Sequence, residues 1–257
     1  MDNNLMPILF MGHGSPMNAI EDNEFSRAWR AAAAHIPKPE AILCISAHWE
    51  TQGSMVTAMD TPRTIHDFYG FPKTLFEKQY PAPGSAELAD RLIQLLGDSD
   101  VMPDHTWGLD HGTWSVLCQM YPEADIPVVQ LSLDRTLKVA GHYQRGEELR
   151  QLRQEGVLII GSGNIVHNLR MMVWEEAAFD WAIEYDDQVK RWILEDNHQA
   201  IIQYQEYGQP AILAVNSAEH YLPLLYVLGM KQKGEPISFF AEKVWGGSIS
   251  MRCVRLG

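Results

Sequence analysis

The chain has 257 residues, 46% of them hydrophobic and 21% charged, the make-up of an ordinary globular protein. Against 33 Asp and Glu stand 20 Lys and Arg, a formal charge of −13, which excludes a basic nucleic-acid footprint and electrostatic docking on an anionic membrane. Three scattered cysteines, Cys44, Cys118 and Cys253, form no CxxC pair, so they exclude a thiolate metal knuckle and read as buried reduced thiols of a cytoplasmic protein.

In chain order, residues 1–4 are polar and acidic and lack the basic and apolar regions of a signal peptide. The first predicted strand, 7–11, runs into Gly12-His13-Gly14-Ser15-Pro16, a glycine-flanked turn with an imidazole at its tip. A helix follows whose apolar face is Phe25, Ala28, Trp29, Ala32 and Ile36, with Asp22 or Asn23 as its cap. The next strand, 41–46, ends at Ser46-Ala47-His48-Trp49 and repeats the pattern. After a strand at 55–59 comes a Pro- and Gly-rich stretch, 60–84, with the aromatics and His66 of 64–72. An irregular insertion of that length often builds an active-site wall, although a packed surface loop fits the same residues.

A helix at 85–96 places Leu88, Leu92 and Leu95 together, and Trp107-Gly108-Leu109-Asp110-His111-Gly112 leads into another at 113–120. Asp110 there suits a helix start. The strand 128–133, helix 137–154 and strand 157–160 follow. The last of these opens on Gly161-Ser162-Gly163-Asn164 and His167. That loop is neither a P-loop nor GxGxxG, so its glycines are expected to allow close approach of the backbone to a ligand. A helix at 181–198, a strand at 211–215, the segment Ala218-Glu219-His220-Tyr221, a helix at 222–228 and strands at 237–241 and 248–254 complete the chain. The alternation of strands and helices predicts one domain over 1–257, a three-layer α/β/α sandwich around a mostly parallel mixed sheet. No apolar run reaches the length of a membrane span.

Four histidines thus stand at the ends of four apolar runs, and in an open α/β sheet the loops beyond the carboxyl ends of the strands build the ligand crevice. Each alone is as well explained by a buried, hydrogen-bonded imidazole. Together, His13, His48, His167 and His220 suggest a metal or proton-transfer site. Glu219 and His220 are neighbours, so a two-His, one-carboxylate site and an all-His site both remain open. No Gly-Xaa-Ser-Xaa-Gly elbow occurs, which removes the common serine hydrolase arrangement. His35, His105, His142 and His198 have no comparable setting.

Seven motifs in one order carry a resemblance: Gly12–Pro16, Ser46–Trp49, Ile65–Pro72, Tyr80–Gly84, Trp107–Gly112, Val166–Arg170 and Glu219–Leu225. In these the chain resembles the class III extradiol ring-cleaving dioxygenases, in particular the 4,5-DOPA extradiol branch. The resemblance implies Fe(II) as the working metal, with Zn(II) as an alternative occupant, and a catechol and O2 as partners. It implies His13, His48 and His220 as ligands. His167 becomes the acid/base residue, counted as a fourth ligand when zinc is bound, and His111 a contact to substrate or oxygen. Ring opening outside the diol to a muconic semialdehyde is the expected reaction. Arg63 and Arg170 are candidates for a substrate carboxylate. A zinc hydrolase on the same histidines and a non-enzymatic binding protein are the competing expectations, and a monomer or homodimer is expected.

Overall fold

The computed structural model describes residues 5–97 and 100–257; the acidic start at 1–4 lies outside the described residues. The elements are β1 (Ile8–Gly12), α1 (Glu24–Ala33), β2 (Ala41–Thr51), β3 (Ser54–Thr57), α2 (Lys73–Phe76), α3 (Ala86–Leu96), β4 (Val101–Asp104), α4 (His111–Met120), β5 (Val128–Asp134), α5 (Val139–Leu149) and β6 (Val157–Gly163). They continue through α6 (Asp180–Leu194), α7 (His198–Ile202), α8 (Gln209–Ala214), α9 (Leu222–Gly229), β7 (Ile237–Phe240), β8 (Val244–Trp245), β9 (Ile249–Ser250) and β10 (Cys253–Leu256).

One eight-stranded sheet runs β4-β3-β5-β2-β6-β1-β10-β7. Its centre, β5-β2-β6-β1, is parallel throughout, and antiparallel pairings join β3 to β5, β1 to β10 and β10 to β7. The central strands are mostly apolar, and β1, β5 and β6 are buried at every position, because both faces of the sheet are covered. Ile8, Phe10, Leu43, Ile45 and Ile159 pack into the layer holding α3, α5, α6 and α9. Leu9, Met11, Ile42, Cys44 and Ile160 face α1 and α4. Two cores on one sheet make the predicted three-layer α/β/α sandwich. Asn23 caps α1 by accepting from the Phe25 and Ser26 amides, and Ser26 returns the bond in a capping box. No helix among the described residues is long and apolar enough to cross a membrane.

Several expectations are corrected. Residues 211–215 are not a strand: they lie in α8 and its end, started by Pro210. A short apolar run cannot be told from a buried helix by periodicity, and proline near a helix start fits the helix. The strand expected at 248–254 splits into β9 and β10, and β9 pairs with β8 in a separate two-stranded ladder. The helix expected at 181–198 stops at Leu194, and the one at 137–154 becomes α5 followed by a 3-10 turn, Arg150–Glu155. The stretch 60–84 contains the short helix α2. Strand β4 has no counterpart among the expected elements; its edge position and the sequence Val-Met-Pro-Asp hide it.

Candidate metal centre

Strands β2, β6 and β1 lie side by side; the carboxyl ends of β1 and β6 deliver His13 and the loop to His167, and the last part of β2 brings His48 to the same place. His13 follows β1 directly; its amide donates to Gly163 O at 3.1 Å, and its carbonyl accepts from Asn18 Nδ2 at 3.0 Å. His48 is placed by an irregularity. Between Ile45 and Glu50, five steps of β2 stand opposite only two of β5, from Leu131 to Leu133. The surplus residues bulge, and bulges beside active sites re-aim side chains in this way. His220 arrives from the turn between α8 and α9, not from a strand end. Its carbonyl accepts the Asn164 amide at 2.8 Å, which ties it to the end of β6.

The glycines of Gly161-Ser162-Gly163 serve this contact. A Cβ on Gly163 would meet His220 O at 2.1 Å, and one on Gly161 would meet Pro223 O at 2.6 Å. The close approach is therefore between β6 and the start of α9, where a ligand was expected.

Ligand nitrogens of His13, His48 and His220 all lie within 4.8 Å of one another. Nε2 of His13 and Nε2 of His48 are 3.1 Å apart, and buried Nε2 of His220 has no hydrogen-bond partner. Each ring turns its other nitrogen to an oxygen: His13 Nδ1 is 3.0 Å from Ser162 Oγ, His220 Nδ1 is 3.1 Å from Glu219 Oε1, and His48 Nδ1 is 3.5 Å from Asp67 Oδ2. Glu219 Oε1 is itself held by Ser217 Oγ at 2.8 Å.

Two more histidines border the cluster. The His111 ring centroid lies 3.9 Å from that of His48, with Nδ1 3.0 Å from Asp67 Oδ2. The His167 ring lies flat on His220, with centroids 3.4 Å apart and planes 9° from parallel. His167, Glu219 and His220 form a second group with ligand atoms within 4.8 Å of one another.

Burial, joined by the positive charge the neighbours would carry, holds the pKa values of His13, His48 and His220 well below the ordinary imidazole value. Burial and then His111 bring His167 down to about 4. Burial pushes Asp67 upward, but its contacts with His111 and His48 outweigh this and leave the carboxyl below its usual range. The imidazoles are thus neutral near pH 7, the form that binds metal. With Nδ1 of His13 and His220 hydrogen-bonded to oxygens and Nδ1 of His48 facing the Asp67 carboxylate, the Nε2 atoms are left for a common point, and a cation is what such a set of donors fits.

Other candidates fall outside this cluster. His66 Nε2 is 2.9 Å from Lys78 O, and its ring packs on Phe68, Phe76 and Trp114, a structural role within the loop. Asp110 caps α4 as expected, and it also accepts from Ser46 Oγ and Gln130 Nε2, both at 2.7 Å. Arg63 and Arg170 are exposed, and Arg63 Nε donates to Trp107 O. Buried His142 contacts Tyr226 Oη at 3.2 Å. The sequence patterns single out neither Asp67 nor Ser162 as a functional residue. Neither has a spacing that announces it, since Asp67 is 44 residues from His111 and Ser162 is 149 from His13.

Comparison with known proteins places this site in a family. Residues 6–244 match the family model described as the catalytic LigB subunit of aromatic ring-opening dioxygenase. A protein of Escherichia coli K12 named "4,5-DOPA dioxygenase extradiol" is 46% identical, covering 100% of this chain and 97% of its own. One of the same name from Beta vulgaris is 38% identical over 96% of this chain and 95% of its own. A crystal structure of an uncharacterized E. coli K12 protein superposes with a TM-score of 0.86 at 42% identity, covering 98% of this chain and 100% of the other. The chain belongs to the LigB family and is an extradiol ring-cleaving dioxygenase.

Proposed function

We propose that this protein opens the ring of a DOPA-like catechol with O2 at a single ferrous ion, giving a muconic semialdehyde. The observation that carries this reading is the convergence of His13, His48 and His220, with Nδ1 of His13 and His220 hydrogen-bonded to oxygens and that of His48 facing a carboxylate. An ion held there would supply a Lewis-acidic seat for the two catechol oxygens and a redox path between substrate and oxygen. The relatives' names support DOPA as the type of substrate.

His220, not Glu219, is the third ligand in this reading. Glu219 instead orients the His220 ring through Nδ1, as outer carboxylates do for metal-bound histidines. His167 is assigned to proton transfer. Two rings stacked in parallel cannot both aim an in-plane lone pair at one ion, so the stack on His220 turns His167 to another task. Neutral near pH 7, it can take the proton that a catechol hydroxyl gives up and return it as the ring opens. His111, beside His48, faces the same space and is assigned to substrate or oxygen.

The test is anaerobic loading with Fe(II), then O2 uptake and yellow product across a panel of catechols including DOPA. One O2 consumed per ring opened is expected. Tight Zn(II) binding with anaerobic hydrolytic turnover, and no oxygen uptake with any catechol, would defeat the reading.

A further inference from the structure

Asp67 makes three contacts that no other carboxylate near the centre makes. Its Oδ1 accepts the backbone N–H of His111 at 2.9 Å. Its Oδ2 lies 3.0 Å from His111 Nδ1 and 3.5 Å from His48 Nδ1. Asp110, at the start of α4, is already committed to Ser46, Gln130 and the Thr113 amide, and Glu219 faces His220. We propose that Asp67 is a positioning residue of the dioxygenase centre, one carboxylate that fixes the ring orientation and the proton position of both His48 and His111. The proposal rests on reading the histidine cluster as the metal site.

The segment that carries Asp67 is itself anchored to the entrance of α4. The Ile65 amide donates to Leu109 O at 2.7 Å, the Leu109 amide to Arg63 O at 2.8 Å, and Trp114 Nε1 to Ile65 O at 2.7 Å. Phe68, the next residue, packs its ring edge-on against His111 at 5.6 Å between centroids. Asp67 is therefore held at a fixed place between two rings whose centroids are 3.9 Å apart. Oδ2 faces both Nδ1 atoms as a charge contact, with His111 Nδ1 otherwise without a hydrogen-bond partner; the carboxylate favours the proton on Nδ1 of either ring, which leaves Nε2 for the centre. For His48 that nitrogen is the ligand atom; for His111 it faces the reactants.

Both carboxylate oxygens are engaged, and this makes the role separable from simple stapling of the loop. Asparagine has one carbonyl oxygen, so Asp67→Asn can keep the His111 backbone bond or the imidazole contacts, but not both. Wild type, Asp67→Ala and Asp67→Asn would be titrated with Zn(II) by calorimetry. Their histidine tautomers would be read by 15N NMR with and without metal, and circular dichroism would check the fold. The expected result is a 10- to 100-fold loss of Zn(II) affinity in both variants, with the Nδ1–H signatures of His48 and His111 lost in the metal-free protein too. Wild-type affinity and tautomers in Asp67→Asn would overturn the proposal, leaving Asp67 as a loop anchor. Two ions per chain, one of them lost with Asp67, would overturn it in favour of a direct ligand. Failure of wild type to take up Zn(II) or Fe(II) would count against the metal site, while the metal-free tautomers still decide on Asp67.

Discussion

Ser162 determines which nitrogen of His13 carries the proton. Its hydroxyl lies 2.5 Å from Gly112 O, an atom that can only accept, so the Ser162 proton is committed there. Towards His13 Nδ1, 3.0 Å away, Ser162 can then only accept, and Nδ1 must be the protonated nitrogen. The Nε2 lone pair is left for the centre. Ser162→Ala is expected to strand a buried N–H, at about 1–3 kcal/mol of stability, and to weaken metal binding about 10- to 100-fold. Urea unfolding and calorimetric titration measure the two effects, and unchanged affinity would remove Ser162 from the site.

The division of labour among the histidines predicts unequal losses. His13→Ala and His48→Ala should abolish tight metal binding. His167→Ala should hold metal within a few-fold of wild type yet lose turnover by about 100-fold or more, the usual worth of a positioned proton donor. Metal content by atomic absorption, set beside the rate of ring opening, separates the two classes. Equal metal loss in all three variants would make His167 a ligand.

Acid should destabilise the metal-free protein. His13, His48, His167 and His220 all have folded pKa values below the ordinary 6.5. Above that value the folded and unfolded chains both hold them neutral, and no difference arises. Below it the unfolded chain takes up protons that the folded chain refuses, so stability falls with pH, down to about 4 for His167. The slope is on the order of 1 kcal/mol per pH unit for each histidine still neutral in the fold. The melting temperature without metal should therefore drop between about pH 7 and about pH 5, and drop less in His167→Ala. A flat profile would show that these rings are not buried neutral.

Gly163→Ala tests how His220 is positioned. The added Cβ would sit 2.1 Å from His220 O, and the neighbour it strikes is backbone, which cannot swing aside. The expected outcome is a displaced α9 start and loss of metal affinity, with a stability cost of about 1–3 kcal/mol. A variant that binds metal as well as wild type would show that the β6–α9 contact is free to open.

The sandwich and most of the candidate site were legible in the sequence because its strongest signals are local. Apolar runs such as 41–46 mark buried strands, and histidines following them mark the crevice. His220 was found for a reason that proved incorrect, since the run before it is a helix; the carboxyl-end argument holds for His13 and His167, while His48 lies within β2, which runs on past the expected 41–46 to Thr51. What stayed hidden is long-range. The bulge that re-aims His48 depends on its register with β5. The partners Ser162 and Asp67 are chosen by contacts across the fold, and no spacing encodes them. Glu219 was visible as a neighbour of His220, but its part as a support for the ring needed the Nδ1 contact to be seen.

The three cysteines bear on a hazard that any oxygen-consuming enzyme meets, damage to its own sulfur. All three are buried and free, and Cys44 lies on β2, the strand that carries His48. Oxidants attack the thiolate far faster than the thiol. Burial pushes Cys118 up to about 11 and Cys253 up to about 12, and raises Cys44 further. The cysteine sulfur is thus kept protonated and buried, so escaping oxidant finds little thiolate to attack. The same apolar layers that hold the sheet together also protect these three thiols.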